Sequence, residues 1–463
     1  AMIAAEEGSE TEARLVAHKV VADVVRIAKK YNNFLPTVEG LQDEVERQLI
    51  LSDYVKTSKA YILYRAERAK LRERGIAVPE HVRALTKESR KYLRNNLAEF
   101  VFYTAYARWK DEEGRRETWV EAVDRYVDFM KENLGEKLTD KEYAEVREAI
   151  LKQDVCPSMR LLWSAGEAAR KTNVCAYNCS FIAPTRLRDF GEIMYISMCG
   201  TGLGFSAESE FVEQLPQIKR QQKDVKPLTH VVEDSKEGWA NSLVFGLETW
   251  FSGREASFDF SQVRPAGARL KTMGGRASGP EPLENILDFV RGKVLSRQGK
   301  RLRTIDVHDI VCKIGEGVVA GGVRRSALIS LSDLDDLLIR DAKKGQFYLT
   351  EPQRSLSNNS AVYLEKPTAN YFLEEWTALV KSQTGERGIF NAAGFEKQFP
   401  KRRVSLLKKK FGEDLAMAPV RTNPCGEIYL QSRQFCNLTS IVARADDTVQ
   451  TLAKKMEMAT LLG

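Results

Sequence analysis

The sequence predicts an α/β protein with parallel strands, preceded by a helical front region. Two observations carry this reading. Up to about residue 155 the apolar residues recur at three-four spacing, the period of amphipathic helices. After Cys156 short apolar segments alternate with longer helical patterns, as strands joined by helical crossovers do.

Residues 11–75 read as helices. Val20, Val21, Val24, Val25 and Ile27 are expected to form one apolar stripe. A second helix opens at Pro36 and Thr37 in PTVEGLQDEVERQLI, where proline suits a first turn. A third lies in SKAYILYRAERAKLRER. The polar stretch RERGIAVPEHVRALTKESRK reads as a linker. Residues 97–155 are helical again, with WVEAVDRYVDFMKENL and DKEYAEVREAILKQ as the clearest repeats. The segments SFIA, GLGFSA, SALISLS, AVYL and IVAR are the strand candidates of the α/β part.

Composition narrows the function classes. The chain has 463 residues, 43% of them hydrophobic and 29% charged, which is ordinary for a globular protein and argues against disorder. A net charge of +7 is modest at this length, suits a polyphosphate ligand or a scattered lysine surface, and does not point to a nucleic-acid polymer. No apolar run approaches the roughly 18 residues of a membrane span, and AMIAAEEGSE lacks the regions of a signal peptide. The expectation is a cytoplasmic protein. Seven scattered cysteines in such a chain are not a disulfide framework.

The most informative stretch is Thr422-Asn423-Pro424-Cys425-Gly426-Glu427-Ile428. Pro424 and Gly426 restrict and then free the backbone around one thiol, as at a tight loop tip. Asn423 and Glu427 set an amide and a carboxylate beside it, a plausible catalytic set; a turn with a buried cysteine is the alternative. Cys436, in QFCNLTSI, and Cys179, in NVCAYNCSFIAP, lie in or beside apolar runs. Thiols at strand starts can meet as a redox pair, although two buried structural cysteines are the commoner case. The spacing of Cys175 and Cys179, with no second pair and no histidine cluster, is not that of a zinc ribbon. The glycine-rich segments 199–205 and 274–282 fit neither dinucleotide fingerprint nor phosphate loop. GGVRRSALISLSD at 321–333 suits either a mobile anion-reading loop or a solvated basic turn. The four histidines are dispersed, so no metal site is expected.

In order along the chain, NCSFI, MCGTGLGFS, VRPAGARLKTMGGRASGPEPL, HDIVCKI, GGVRRSALISLSDLDD, NNSAVY, GERGIFN, NPCGEI and CNL together resemble the adenosylcobalamin-dependent ribonucleoside-triphosphate reductases, over roughly residues 105–463. PTVEGLQDEVERQLI with AYILYRAERAKLR resembles the later helices of an ATP-cone, the regulatory nucleotide-binding module of many reductases. The resemblance implies three regions. Residues 1–72 would be a partial, helical ATP-cone, and residues 73–155 a linker with a helical N-terminal region. Residues 156–463 would be the first half of a ten-stranded α/β barrel with its finger loop.

The resemblance also implies roles. Cys425 would carry a thiyl radical, generated with adenosylcobalamin, that takes the 3′-hydrogen of the ribose. Glu427 would accept the 3′-hydroxyl proton and Asn423 would hold the ribose hydroxyls. Cys179 and Cys436 would become a disulfide as the 2′-hydroxyl leaves as water. Ser158, Asn178 and Gly202 would lie near substrate. Arg269, Lys271, Arg324 and Arg325 would belong to loops that couple a dNTP or ATP effector to base choice. The implied partners are ribonucleoside triphosphates, those effectors, a thioredoxin-type reductant, and a C-terminal companion chain or extein supplying the second half-barrel. No nucleic acid and no membrane are expected. Ala1 is expected to be a cut inside the cone and the C-terminus to fall before the second half-barrel. The weighed alternatives are a reductase fed by a separate metalloprotein radical subunit and a non-catalytic nucleotide-binding regulatory fragment.

Overall fold

The computed structural model describes residues 7–30, 38–73, 80–268, 270, 277–320, 327–413 and 419–463, and the chain divides into two compact units, 1–87 and 88–463. In the first unit, α1 (Glu10–Lys30), α2 (Val38–Leu51) and α3 (Val55–Glu73) follow the helical periodicity. Val16 of α1 and Leu49 of α2 form their small core, with Ala13, Val45, Tyr54 and Tyr61 against it. The expected five-residue stripe divides. Val20 is buried, whereas Val21 and Val25 are exposed. Successive helical residues point about 100° apart, so Val20 and Val21 cannot share a face.

The expected linker contains a helix, α4 (Glu80–Arg90), with Val82 buried. In the second unit α5 (Asn96–Val101) is capped by the Asn95 side chain, which accepts from the Ala98 backbone N–H at 2.8 Å. The expected continuous helical region is broken by a small antiparallel hairpin, β1 (Trp109–Lys110) with β2 (Arg115–Arg116), around Gly114. Then come α6 (Trp119–Leu134) and α7 (Asp140–Leu151). Each starts in a capping box, Thr118 with Glu121 and Thr139 with Glu142. Their apolar faces, with Trp119, Val123, Tyr126, Val146 and Ile150, make one core. β3 (Val155–Cys156) and α8 (Met159–Ser164) lead into the sheet.

The sheet is built from β4 (Cys179–Ile182), α9 (Leu187–Met198) and β5 (Gly202–Ser206), followed by an excursion of β6 (Leu228–Val231), α10 (Lys236–Phe251), β7 (Ala256–Asp259) and α11 (Glu281–Leu295). The chain returns through α12 (Thr304–Ala320) to β8 (Leu328–Asp333), β9 (Ser357–Tyr363), α13 (Ala369–Ser382) and β10 (Gly388–Asn391). Beyond α14 (Lys401–Phe411), β11 (Val420–Thr422) and β12 (Tyr429–Gln431) form an antiparallel hairpin. β13 (Gln434–Phe435), β14 (Ser440–Ile441) and α15 (Val449–Leu462) complete the described part.

Five strands, in the order β10-β9-β8-β5-β4, are parallel, and β13 adds antiparallel beside β4. The α/β class and the parallel strands agree with the sequence reading. Alternation gives the sheet two faces. Ile182, Leu203, Phe205 and Leu328 pack into the large core with α9, α10, α11 and α12. Phe181, Ile329, Leu331 and Val362 face the other way and pack with Ile428 and Leu430, which flank and form the β11–β12 hairpin. That hairpin carries the Asn-Pro-Cys-Gly-Glu motif at its tip.

Candidate active site

The tip is a four-residue turn. The Gly426 N–H donates to the Asn423 carbonyl at 3.0 Å, and Gly426 takes a φ of 75°, the left-handed region where glycine is at ease. Pro424, with its preset φ, sits second in the turn, which leaves Cys425 outermost and exposed. Asn423 is fully buried and braces the turn from within. Its Nδ2 donates to Glu427 Oε1 at 2.9 Å, and its Oδ1 accepts from the Ile428 N–H at 3.3 Å.

Cys179 opens β4. Cys436 immediately follows β13, one step beyond the pairs Gln434–Phe181 and Phe435–Ser180 in the same antiparallel register. The expectation had both cysteines starting strands; Cys436 instead lies just past the end of β13, because β13 runs antiparallel to β4. The two are directly opposed. The Cys436 N–H donates to the Cys179 carbonyl and the Cys179 N–H donates to Cys436 Sγ, each at 2.9 Å. Opposed residues of an antiparallel pair have Cα atoms roughly 4.5–5.5 Å apart, inside the span a disulfide bridges. Both side chains are buried. The Cys179 thiol donates to the Cys436 sulfur; that bond and burial push Cys179 up, whereas at Cys436 the same bond outweighs burial and draws the thiol down, so Cys436 ionises first.

The finger sets its thiol over this pair. Cys179 Sγ, Cys425 Sγ and a Glu427 carboxylate oxygen all lie within 4.8 Å of one another. Burial, with Cys179 and Glu427 close by, pushes the Cys425 thiol up to about 11. At neutral pH it is therefore S–H, a hydrogen-atom donor. Two thiols and a carboxylate at this spacing could also grip a soft cation.

Ser158, Asn178 and Gly202 form a chain beside Cys179. Ser158 Oγ donates to Asn178 Oδ1 at 2.7 Å, and the Gly202 N–H donates to the Asn178 carbonyl at 2.9 Å. Gly202 lies opposite Cys179 in the β4–β5 register. All eight residues named for catalysis and substrate thus gather around the finger tip and the start of β4 and β5. Arg269, Lys271, Arg324 and Arg325 lie outside the described residues.

Sequence reading missed how the finger finds room. Gly204 faces the finger between Phe181 and Ile329. A Cβ there would sit 2.1 Å from the Thr422 carbonyl oxygen, and one on Gly202 would sit 3.3 Å from Pro424 Cγ. Glycine at both positions lets the finger backbone run against the sheet. The signal was present as glycine at a two-residue period in Gly202-Leu203-Gly204, a pattern of one strand face rather than of a loop. Arg421 and Glu208, buried against each other, were also unmarked.

An exposed thiol held by a hairpin beside a buried cross-strand thiol pair, on an α/β sheet, is an arrangement suited to thiol redox chemistry. Comparison with known proteins narrows the class. Residues 78–166 match the ribonucleotide reductase alpha domain, residues 1–70 the ATP cone domain, and residues 207–294 the insertion domain of B12-dependent ribonucleotide reductase. The last match covers the β6–α10–β7 excursion and nearly all of α11. An adenosylcobalamin-dependent ribonucleoside-triphosphate reductase of Lactobacillus delbrueckii subsp. bulgaricus is 28% identical over 79% of this chain and 57% of its own length. One from Euglena gracilis is 27% identical over 84% of this chain and 54% of its own. A crystal structure of a B12-dependent (class II) ribonucleotide reductase superposes with a TM-score of 0.65 at 23% identity, over 82% of this chain and 59% of that one. Along most of its length the chain is similar to the B12-dependent ribonucleotide reductases, and it spans somewhat more than half the length of these relatives.

Proposed function

We propose that this chain carries the radical and reducing thiols of an enzyme that converts ribonucleoside triphosphates to 2′-deoxyribonucleoside triphosphates, with adenosylcobalamin as the radical source. The observation that carries this reading is the convergence of Cys425, Glu427 and Cys179, with Cys436 paired to Cys179. Cys425 is the exposed thiol of the three and keeps its proton at neutral pH, which fits a radical source that reaches the tip from outside the fold. When bound, adenosylcobalamin supplies the one-electron equivalent by homolysis of its carbon–cobalt bond. Lacking its hydrogen atom, Cys425 takes the one on C3′ of the ribose and returns it at the end of the cycle. Glu427 accepts the 3′-hydroxyl proton. Cys179 and Cys436 supply two electrons and two protons: the 2′-hydroxyl leaves as water, a hydrogen replaces it on C2′, and a disulfide remains. Asn423 holds the Glu427 carboxylate in the free site, and must release it to bind ribose hydroxyls. Ser158, Asn178 and Gly202 line the approach to Cys179.

Matches to the cone and insertion domains support ATP or dNTP effectors, acting through the loops with Arg269, Lys271, Arg324 and Arg325. A thioredoxin-type reductant would reopen the disulfide. The insertion-domain match favours cobalamin over a separate metalloprotein radical subunit. The thiol geometry favours an enzyme over a nucleotide-binding regulatory piece. No described helix is long and apolar enough to cross a membrane, and the proposed setting is cytoplasmic. The test is a single-turnover assay with ribonucleoside triphosphate and adenosylcobalamin, with and without a C-terminal companion segment. One Cys179–Cys436 disulfide per deoxynucleotide is expected. Product formed with the two thiols still reduced would refute the reading.

A further inference from the structure

The finger is tied to the sheet at its base by one buried ion pair. Arg421, in the strand that rises to the tip, grips Glu208, two residues past the end of β5. Its Nε donates to Glu208 Oε2 at 2.7 Å and its Nη2 donates to Oε1 at 2.6 Å. Both side chains are nearly sealed from solvent, 3% and 2% exposed. A planar guanidinium forked onto a carboxylate fixes direction as well as distance.

Glu208 is itself held. Ser206 Oγ donates to its Oε2 at 2.8 Å, and its own backbone N–H donates back to Ser206 Oγ at 3.0 Å. The segment is pinned to β8 on both sides, by the Ala207 N–H on the Leu331 carbonyl and the Ser209 N–H on Asp333 Oδ2, each at 2.7 Å. Glu208 is therefore a fixed point of the sheet, and Arg421 lies four residues before Cys425. Between them the finger backbone rests on Gly204, at Thr422, and on Gly202, at Pro424. Its path along β5 is set at three successive places, and only the ion pair among them is directional.

We propose that Glu208 and Arg421 are positioning residues that set the height of the Cys425 thiol above Cys179. The proposal rests on the role assigned to Cys425 above. Neither residue touches the reacting sulfurs. Weakening the pair lets the finger slide along the glycine track, and the tip thiol leaves its place within 4.8 Å of Cys179. A thiol displaced by a fraction of that distance loses its geometry for hydrogen-atom transfer, whereas nucleotide binding at the strand ends is untouched.

The test reads the finger directly, without cofactor or nucleotide. In a Cys436→Ser background, diamide takes one hydrogen from each of Cys425 and Cys179 onto its azo bond and leaves a disulfide, whose rate is followed by peptide mass spectrometry. We expect Glu208→Gln, which keeps the shape and removes the charge, to slow that rate tenfold or more. Arg421→Lys, which keeps the charge and loses the fork, should fall between Glu208→Gln and the parent. Glu117→Gln weakens another mostly buried pair of the same unit, Arg125–Glu117, and should lower stability without changing the rate. In the enzyme assay Glu208→Gln should lower kcat and leave KM alone. A folded Glu208→Gln chain that crosslinks at the parent rate overturns the proposal. If that variant does not fold, Ser206→Ala, which only frees the carboxylate to turn, must slow the rate about threefold, and an unchanged rate there overturns it equally. Crosslinking as expected in a protein that, supplied with its companion segment and adenosylcobalamin, makes no deoxynucleotide would sink the proposed function and leave the positioning role standing.

Discussion

The two faces of strand β5 do opposite work. Toward the helices it presents Leu203 and Phe205, both fully buried in the large apolar core. Toward the finger it presents Gly202, Gly204 and Ser206, which keep a channel open and hold Glu208. One face gains stability from buried area. The other gives up side chains so that a second backbone can approach. A five-residue strand thus carries core and candidate-site scaffold at a two-residue period, and changes on its two faces should separate stability from the proposed chemistry.

The largest effect is expected on the helix face. Leu203→Ala should cost about 2–5 kcal/mol of unfolding free energy, measured by denaturant titration, with turnover per folded molecule little changed. A parallel loss of turnover would erase the division between the faces. On the finger face, Gly204→Ala places a Cβ on the Thr422 carbonyl oxygen and forces the finger to move. Turnover should fall roughly 100-fold, as a displacement of about 1 Å does in other enzymes, while the denaturation midpoint shifts far less than for Leu203→Ala. Ser158→Ala removes one hydrogen bond to Asn178 and should cost about 0.5–1.5 kcal/mol, read as a raised KM.

The smallest effect sharpens the electrostatics of the tip. The Cys425 thiol is pushed up to about 11, first by burial and then by Cys179 and Glu427. A raised value favours the protonated form, so alkylation of Cys425 should keep accelerating with pH up to about 11, past the ordinary thiol range. Glu427→Gln removes the nearby negative charge, which disfavours the thiolate, and should move that profile to lower pH by less than the burial contribution. A profile that levels off near the ordinary thiol value in the unmodified chain would contradict the geometry of the tip.

Much of the site was legible because its chemistry is local. Pro424 and Gly426 around Cys425 specify a turn from backbone preferences alone, and Asn423 and Glu427 are within reach of that thiol in any tight turn. The parallel strands were legible from short apolar runs between helices. The β1–β2 hairpin was not, because strands of two residues leave no periodicity to read. Helix α4 was hidden in a polar stretch whose only described buried apolar residue is Val82. The apolar stripe of α1 was overdrawn because Val21 and Val25 are apolar yet exposed, which composition cannot distinguish.

By itself, then, the sequence determined the α/β class and the tip turn around Cys425, since each depends on short stretches of chain, while the pairing of Cys179 with Cys436 was implied only by a family resemblance. Only the tertiary structure decided that Cys436 lies opposite Cys179 across 257 residues, that the finger runs along Gly202 and Gly204, and that Arg421 locks onto Glu208 across 213 residues. These contacts depend on strand register and on which face each side chain takes. Register is a property of two segments brought together, and no single stretch of chain contains it.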